Sequence, residues 1–197
     1  MTDQPSLFDN SDQIAESRAK LPNGFKYQPE LIDSAEEVAL LKHVRGLPFR
    51  EFEFHGYTGK RRVVSYGWQY DFTARQLQKV DDIPDFLLSL RSLAASFAAL
   101  EPEALPHVLV TEYGPGAAIG WHRDKAVFGE VTGISLHSSC VLRLRRAVGD
   151  KWEREKQVLE PRSIYLLSGA ARREWEHSIP PVDVLRYSIT FRNLRQD

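Results

Sequence analysis

Hydrophobic and polar positions change period along this chain, and the change divides it. Ser34-Ala35-Glu36-Glu37 has the spacing of a capping box and predicts a helix from Ser34 to about Leu47, where Pro48 stops it. Pro84 precedes a second helical stretch whose apolar stripe is Phe86, Leu87, Leu90, Leu93, Ala94 and Phe97. From His107 onward the helical period gives way to short runs rich in Val, Ile, Leu and Tyr, broken by Gly114-Pro115-Gly116, Gly149-Asp150, Pro161 and Gly169. The run from His107 to Tyr113 puts Leu109, Thr111 and Tyr113 on one face of a strand and Val108, Val110 and Glu112 on the other. Near the C-terminus, Arg186 to Arg192 alternates in the same way, with Arg186, Ser188, Thr190 and Arg192 on one face and Tyr187, Ile189 and Phe191 on the other. Helices first and strands afterwards predict an α+β chain, a double-stranded β-helix (jelly roll) core backed by N-terminal helices.

Residues 1–22 are polar with few large apolar side chains and read as a flexible arm, which leaves 23–197 as the folded domain. Within the arm, Gln4-Pro5-Ser6-Leu7-Phe8 resembles the QxxLF peptide by which bacterial replication and repair proteins bind the sliding clamp. The same Leu7 and Phe8 would equally serve to fold the arm back onto its own domain.

At 197 residues and 42% hydrophobic, the chain suits one well-buried domain, and a monomer is expected. Its single cysteine, Cys140, rules out an internal disulfide and opens the apolar run Cys140-Val141-Leu142, where it reads as a small buried hydrophobe. No apolar stretch is long enough to span a bilayer and no secretory leader is evident, so a cytoplasmic location is expected. A formal net charge of -1 excludes gripping nucleic acid by bulk charge, and any such contact must be a local patch.

Candidate chemistry sits in His122-Arg123-Asp124 and the distant His177. Residues two apart on a strand share a face, so His122 and Asp124 can grip one metal ion while Arg123 points away. With a third ligand from His177, two histidines and one carboxylate make the facial set of a non-haem Fe(II) oxygenase and leave the opposite coordination positions open. An isolated HxD is also what a polar strand end looks like, and the two arginines of the last strand would sit in water on an ordinary half-buried sheet. In a hollow barrel the same polar face would line a pocket, where a guanidinium offers a planar fork to a carboxylate.

Taken together, Glu112-Tyr113-Gly114-Pro115-Gly116, Ile119 to Asp124, Trp175-Glu176-His177-Ser178-Ile179-Pro180 and Arg186 to Arg192 resemble the AlkB-like family of Fe(II)- and 2-oxoglutarate-dependent dioxygenases. The resemblance implies that His122, Asp124 and His177 bind Fe(II), and that 2-oxoglutarate is the cosubstrate, with Arg186 on its distal carboxylate and Tyr113 assisting. Arg192 would brace the cosubstrate or the substrate edge, and Thr111 stands where the family carries an asparagine. Trp121 and Trp175, beside the ligands, read as wall or core. The implied reaction is oxidative decarboxylation to succinate coupled to hydroxylation of a C–H bond. On an N-methyl group this releases formaldehyde.

For the substrate, the segment His55 to Phe72 interleaves Lys60, Arg61 and Arg62 with Tyr57, Tyr66, Trp68, Tyr70 and Phe72. That composition suits phosphate contacts and base stacking, and it looks like the family's substrate lid, although a basic hairpin tip between aromatic strands has the same composition. Arg61, Arg62, Tyr66, Trp68 and Tyr70 are the candidate substrate residues, with methylated DNA or RNA as the expected partner. Arg143 to Arg146 reads as a solvated strand face. One departure matters: family members that repair alkylated bases commonly carry an acidic residue shortly after the HxD aspartate, and here Lys125-Ala126 follow. Neither side chain can accept a hydrogen bond from a base. The same chemistry on a protein side chain or small molecule, and a barrel that binds a metal or anion without turnover, are the other two readings.

Overall fold

A computed structural model of the protein describes residues 21–54, 57–71, 74 and 76–195. The clamp-like peptide Gln4 to Phe8 lies outside the described residues. Leu21 packs on the apolar core between the sheets. In chain order the elements are β1 (Phe25–Gln28), α1 (Ser34–Val44), β2 (Arg50–Phe54), β3 (Tyr57–Tyr66), β4 (Trp68–Asp71), β5 (Gln76–Lys79), α2 (Leu88–Ala98), β6 (His107–Tyr113) and β7 (Ile119–His122). They continue with β8 (Phe128–Leu136), β9 (Cys140–Val148), β10 (Lys151–Leu159), β11 (Ile164–Leu167), α3 (Gly169–Arg173), β12 (Glu176–Ile179) and β13 (Arg186–Leu194).

Seven strands form a major sheet in the order β1-β11-β8-β13-β6-β3-β2, four form a minor sheet β10-β9-β12-β7, and β4 pairs with β5. The ladders are antiparallel, so the major and minor sheets face each other as the two walls of a jelly roll. The β6 strand has the bounds and β6 and β13 the faces that alternation predicted, and β13 runs two residues further, to Leu194. Val108 and Val110 of β6, and Tyr187, Ile189 and Phe191 of β13, turn outward into a core closed by Leu41 and Val44 of α1 and by Leu90 and Ala94 of α2. Burying each such side chain is worth roughly 1.5–3 kcal/mol, which is why the period-two pattern fixes the register. The opposite face of β6 and β13 looks into the barrel.

Two details of the helices differ from expectation. The capping box is set one residue earlier, because Asp33 is the N-cap: its Oδ1 accepts from the Glu36 amide at 2.8 Å, and the Glu36 carboxylate accepts from the Asp33 amide at 2.9 Å. The shift frees Glu37 to turn inward, where it accepts from the His137 amide at 2.8 Å and pairs with Arg162 at 3.2 Å. In α2, Leu93 is 39% exposed, and Leu90, Ala94 and Ala95, with Leu87 just before the helix, supply the buried face. A one-turn lead-in over Asp85–Leu87 follows Pro84, as the sequence suggested.

Gly133 of β8 has one requirement. It lies opposite Tyr165 of β11, and a Cβ there would run into the Tyr165 ring, so glycine lets the tyrosine lie across the sheet. Cys140 is buried without a disulfide and packs among Leu142 and Leu159, as a small hydrophobe would. Among the described residues, no helix is long and apolar enough to cross a membrane.

Candidate metal centre

His122 ends β7 and Asp124 follows two residues later, while His177 in β12 is the direct cross-strand partner of His122. Directly opposed residues share a face. The three side chains therefore converge, with one ligand atom from each lying within 4.8 Å of the others and the two imidazole rings 4.2 Å apart. His122 places Nδ1 at 2.9 Å from the Gly120 carbonyl, an arrangement that assigns the proton to Nδ1 and leaves Nε2 to coordinate.

The surroundings prepare these groups electrically. Burial alone would raise the Asp124 carboxyl, but the Arg192 guanidinium, with His177 and His122 nearby, outweighs it and holds the carboxyl well below the usual carboxylate range. Arg192 donates to the same Asp124 oxygen through Nε at 2.9 Å and a terminal nitrogen at 2.8 Å, while the other oxygen faces His177 Nε2 at 3.6 Å. His177 is pushed down to about 3, first by burial and then by His122. An ionised carboxylate beside a neutral imidazole is the protonation state that a divalent cation needs. Behind Asp124, the buried Arg172 of α3 donates to the carbonyls of Gly129, Lys125 and Phe128 at 2.7–2.8 Å and so pins the loop that carries the aspartate.

Next to the triad lies a cavity of about 1270 Å³ between the two sheets, bordered by all three ligands. Arg186 stands in its wall at 1% exposure, its guanidinium 4.8 Å from the Tyr113 ring and its Nε donating to Ser135 at 3.2 Å. Its Nη1 is buried with no hydrogen-bond partner in the protein. A buried cationic donor without an acceptor is costly, and a carboxylate in the cavity removes that cost. The residues present thus fit both a divalent metal and a dicarboxylate beside it. Thr111, Tyr113, Ser188 and Tyr165 share this wall.

The other expected residues divide. Arg61 borders the cavity, 3.8 Å over the Phe52 ring and 3.5 Å from the Ala118 carbonyl. Arg62 does not, because strand alternation turns it to the opposite face, where it pairs with Glu112 at 2.7 Å. Both arginines lie within the body of β3 rather than at a hairpin tip. Tyr66 touches the cavity but is 8% exposed and belongs to the helix-covered core. Tyr70 lines the mouth, with the Lys125 ammonium 5.3 Å from its ring, whereas Trp68, one pleat away, does not line it. Trp121 borders the cavity and Trp175 is buried between the sheets. Arg192 holds Asp124 rather than meeting the cavity as a free donor.

Three residues escaped the sequence reading. His107 extends the inward set of β6 by one pleat; it is 3% exposed, pushed down to about 3 mainly by burial, and its Nδ1 is unpartnered. Period two could have found it. Tyr165 and Arg172 carried no such signal, because their roles depend on which strand or loop lies opposite.

A double-walled β-barrel holding two histidines, one carboxylate and a buried, unsatisfied arginine in one hollow defines a non-haem iron oxygenase with a dicarboxylate cosubstrate. The chain belongs to the 2OG-Fe(II) oxygenase superfamily, whose pattern it matches over residues 26–192. It is a dioxygenase that uses Fe(II) and 2-oxoglutarate. Its relatives are AlkB-like: it is 25% identical over 214 residues to the "Alkylated DNA repair protein ALKBH8 homolog" of Arabidopsis thaliana, covering 93% of this chain and 58% of that protein. It is 28% identical over 171 residues to the mouse "tRNA (carboxymethyluridine(34)-5-O)-methyltransferase ALKBH8", covering 82% of this chain but 25% of that one. The chain thus spans about half or less of each of these two relatives, whereas it spans 91% of an Acanthamoeba polyphaga mimivirus protein, L905, at 27% identity. In fold it is similar to OsALKBH1, with a TM-score of 0.64 at 17% identity over 86% of this chain and 96% of that one. A prolyl-4-hydroxylase of Pseudomonas putida shares the fold at a TM-score of 0.59 and 15% identity, over 88% and 94% of the two chains.

Proposed function

We propose that this dioxygenase hydroxylates N-methyl groups on alkylated bases of DNA or RNA and releases formaldehyde. The observation that carries the reading is the cavity mouth, where Arg61 and Lys125 stand beside the rings of Phe52 and Tyr70. Cations on aromatic faces suit a flipped base entering with its phosphate outside. The names of the Arabidopsis and mouse relatives, which concern alkylated DNA and tRNA, support the same substrate class.

In this reading His122, Asp124 and His177 hold Fe(II), and Arg186 takes the distal carboxylate of 2-oxoglutarate through the donor that has no partner in the protein. Bound there, the metal and cosubstrate supply the oxidising chemistry that converts a C–H bond into an alcohol. The protein's own residues do the rest. Arg192 keeps Asp124 ionised and leaves its other oxygen toward His177, while Tyr113, Thr111 and Tyr165 close the wall where the cosubstrate would lie. Lys125 forms part of the mouth instead of reading the base edge, and Glu51, Gln69 and Asp81 border the cavity as acceptors for an exocyclic amine.

Lys125-Ala126 also favour a second reading, the same chemistry on a protein side chain or small molecule. Formaldehyde release from oligonucleotides carrying N1-methyladenine or N3-methylcytosine, run beside methylated peptides, decides between them. Release from the oligonucleotides is expected. Succinate formation coupled to peptides alone would sink the nucleic-acid reading.

A further inference from the structure

The outer face of the minor sheet sorts its charges in a way the iron site does not use. Along β10, Trp152, Arg154, Lys156 and Val158 share one face, while Lys151, Glu153, Glu155 and Gln157 share the other. The register sets Arg154 opposite Arg145 and Lys156 opposite Arg143, so the cations of two strands gather on one side. Glu153 falls on the opposite side, where it and Glu174 hold Arg146 at 2.7 and 2.8 Å. Of the acidic residues in the four strands, Glu176 alone shares the cationic face, and it pairs with Arg145 at 2.7 Å. Among the described residues, Arg143, Arg154 and Lys156 have no carboxylate at ion-pair distance.

Aromatic rings complete the row. The Arg145 guanidinium lies 4.4 Å from the Trp121 ring and 4.2 Å from the Trp152 ring, and Arg143 lies 5.2 Å from Trp121. Trp121 borders the iron cavity, whereas Trp152 on the far strand is 41% exposed. The row therefore runs from the cavity wall across four strands, a span of about 15 Å at the usual strand spacing.

We propose that this face binds the sugar-phosphate backbone of a single-stranded polynucleotide whose modified base occupies the cavity, with Trp152 stacking on a neighbouring base. Arg143 and Arg154 are held by neutral acceptors, the Ser178 hydroxyl and the Trp152 carbonyl, and cations without a carboxylate partner match phosphates, while an exposed ring beside them matches an unstacked base, which a duplex does not offer. The proposal rests on the nucleic-acid reading above and adds to it a docking surface outside the cavity.

The test is fluorescence anisotropy of the full chain with a labelled oligothymidylate across a salt series. Joint Arg143→Gln, Arg154→Gln and Lys156→Gln is expected to weaken binding at least tenfold at low salt. It should also flatten the plot of log affinity against log salt by about 2, near 0.7 for each phosphate that is no longer neutralised. Trp152→Ala should cost roughly fivefold or more and Trp152→Phe should keep most of the affinity. Lys151→Gln, on the other face of the same strand, should change nothing. Succinate formation without nucleic acid should be equal in all variants, which reports an intact fold and site. If the triple variant misfolds, Arg154→Gln alone should remove about one third of the change in slope. An unaltered chain that binds no oligothymidylate would remove the nucleic-acid reading and this surface with it. Binding by the unaltered chain with equal affinity and slope in the triple variant overturns the surface alone. An equal loss on Lys151→Gln would mean bulk charge, and equal competition by polyglutamate an acidic protein partner; either overturns the proposal.

Discussion

Asp124 belongs to the candidate metal triad, and one of its oxygens is already taken. Two guanidinium nitrogens of Arg192 fix one oxygen and leave the other toward the histidines. Removing that fork by Arg192→Met should raise the Asp124 carboxyl and free it to rotate. Outer-sphere partners of this kind typically contribute 10–100-fold in affinity. A loss of that size is expected in anaerobic Fe(II) titrations, and unchanged affinity would show that the fork does not position the ligand. Arg186→Ala should act differently: 2-oxoglutarate binding weakens by about 2–4 kcal/mol, the worth of a buried charge-assisted pair, while Fe(II) affinity stays within a few-fold. Equal cosubstrate affinity in both proteins would refute the assignment. The convergence of His177 with His122 and Asp124 was expected from the family resemblance, while the pairing of those two and the inward face of Arg186 were legible from period two. The coupling of Arg192 to Asp124 was not, since spacing along one strand says nothing about which loop end meets its tip.

At the level of elements, legibility followed the strength of the local pattern. The faces of β6 and β13 were readable because Val108 and Val110 of one, and Tyr187, Ile189 and Phe191 of the other, would be exposed by a one-residue slip. For α1 the sequence reading sets the cap at Ser34, whereas the structure sets it at Asp33 and holds Glu37 in tertiary contacts with His137 and Arg162. Asp33→Ala should therefore cost about 1 kcal/mol and lower Tm by roughly 2–4 °C, while Ser34→Ala stays within about 0.5 kcal/mol. The reverse ranking in thermal melts would restore the later cap. Around β3 and β4 the sequence named a cluster of aromatic and basic residues without telling its two faces apart. Alternation separates Arg61, which meets the cavity, from Arg62, which does not, while Trp68 shares a strand face with Tyr70 and differs from it only by lying further from the mouth; the pairing of β3 with β6 supplies the starting face.

Across the whole molecule, enclosing a polar hollow makes stability depend on pH. His107 and His177 are both pushed down to about 3, chiefly by burial, against about 6.5 in an unfolded chain. Between those values the unfolded state binds protons that the folded state refuses. Their neutral burial is thus stabilising above pH 6.5, and that stability is lost as pH falls toward 3. Asp124, depressed instead from the carboxylate range, acts only below about pH 4 and leaves the upper window to the histidines. Each histidine contributes a slope of up to about 1.4 kcal/mol per pH unit, so the two together cost several kcal/mol by about pH 4, a sizeable share of an ordinary domain's 5–15 kcal/mol. Urea melts of the chelator-treated protein at pH 7, 6 and 5 should show stability falling with acidity. His107 can be separated from the metal chemistry, because its unpartnered ring packs 4.8 Å from Phe128 and is no ligand of the triad. His107→Phe should therefore keep the stability at pH 7 and reduce the slope by about half. A variant with the full slope would place the buried proton-refusing group elsewhere.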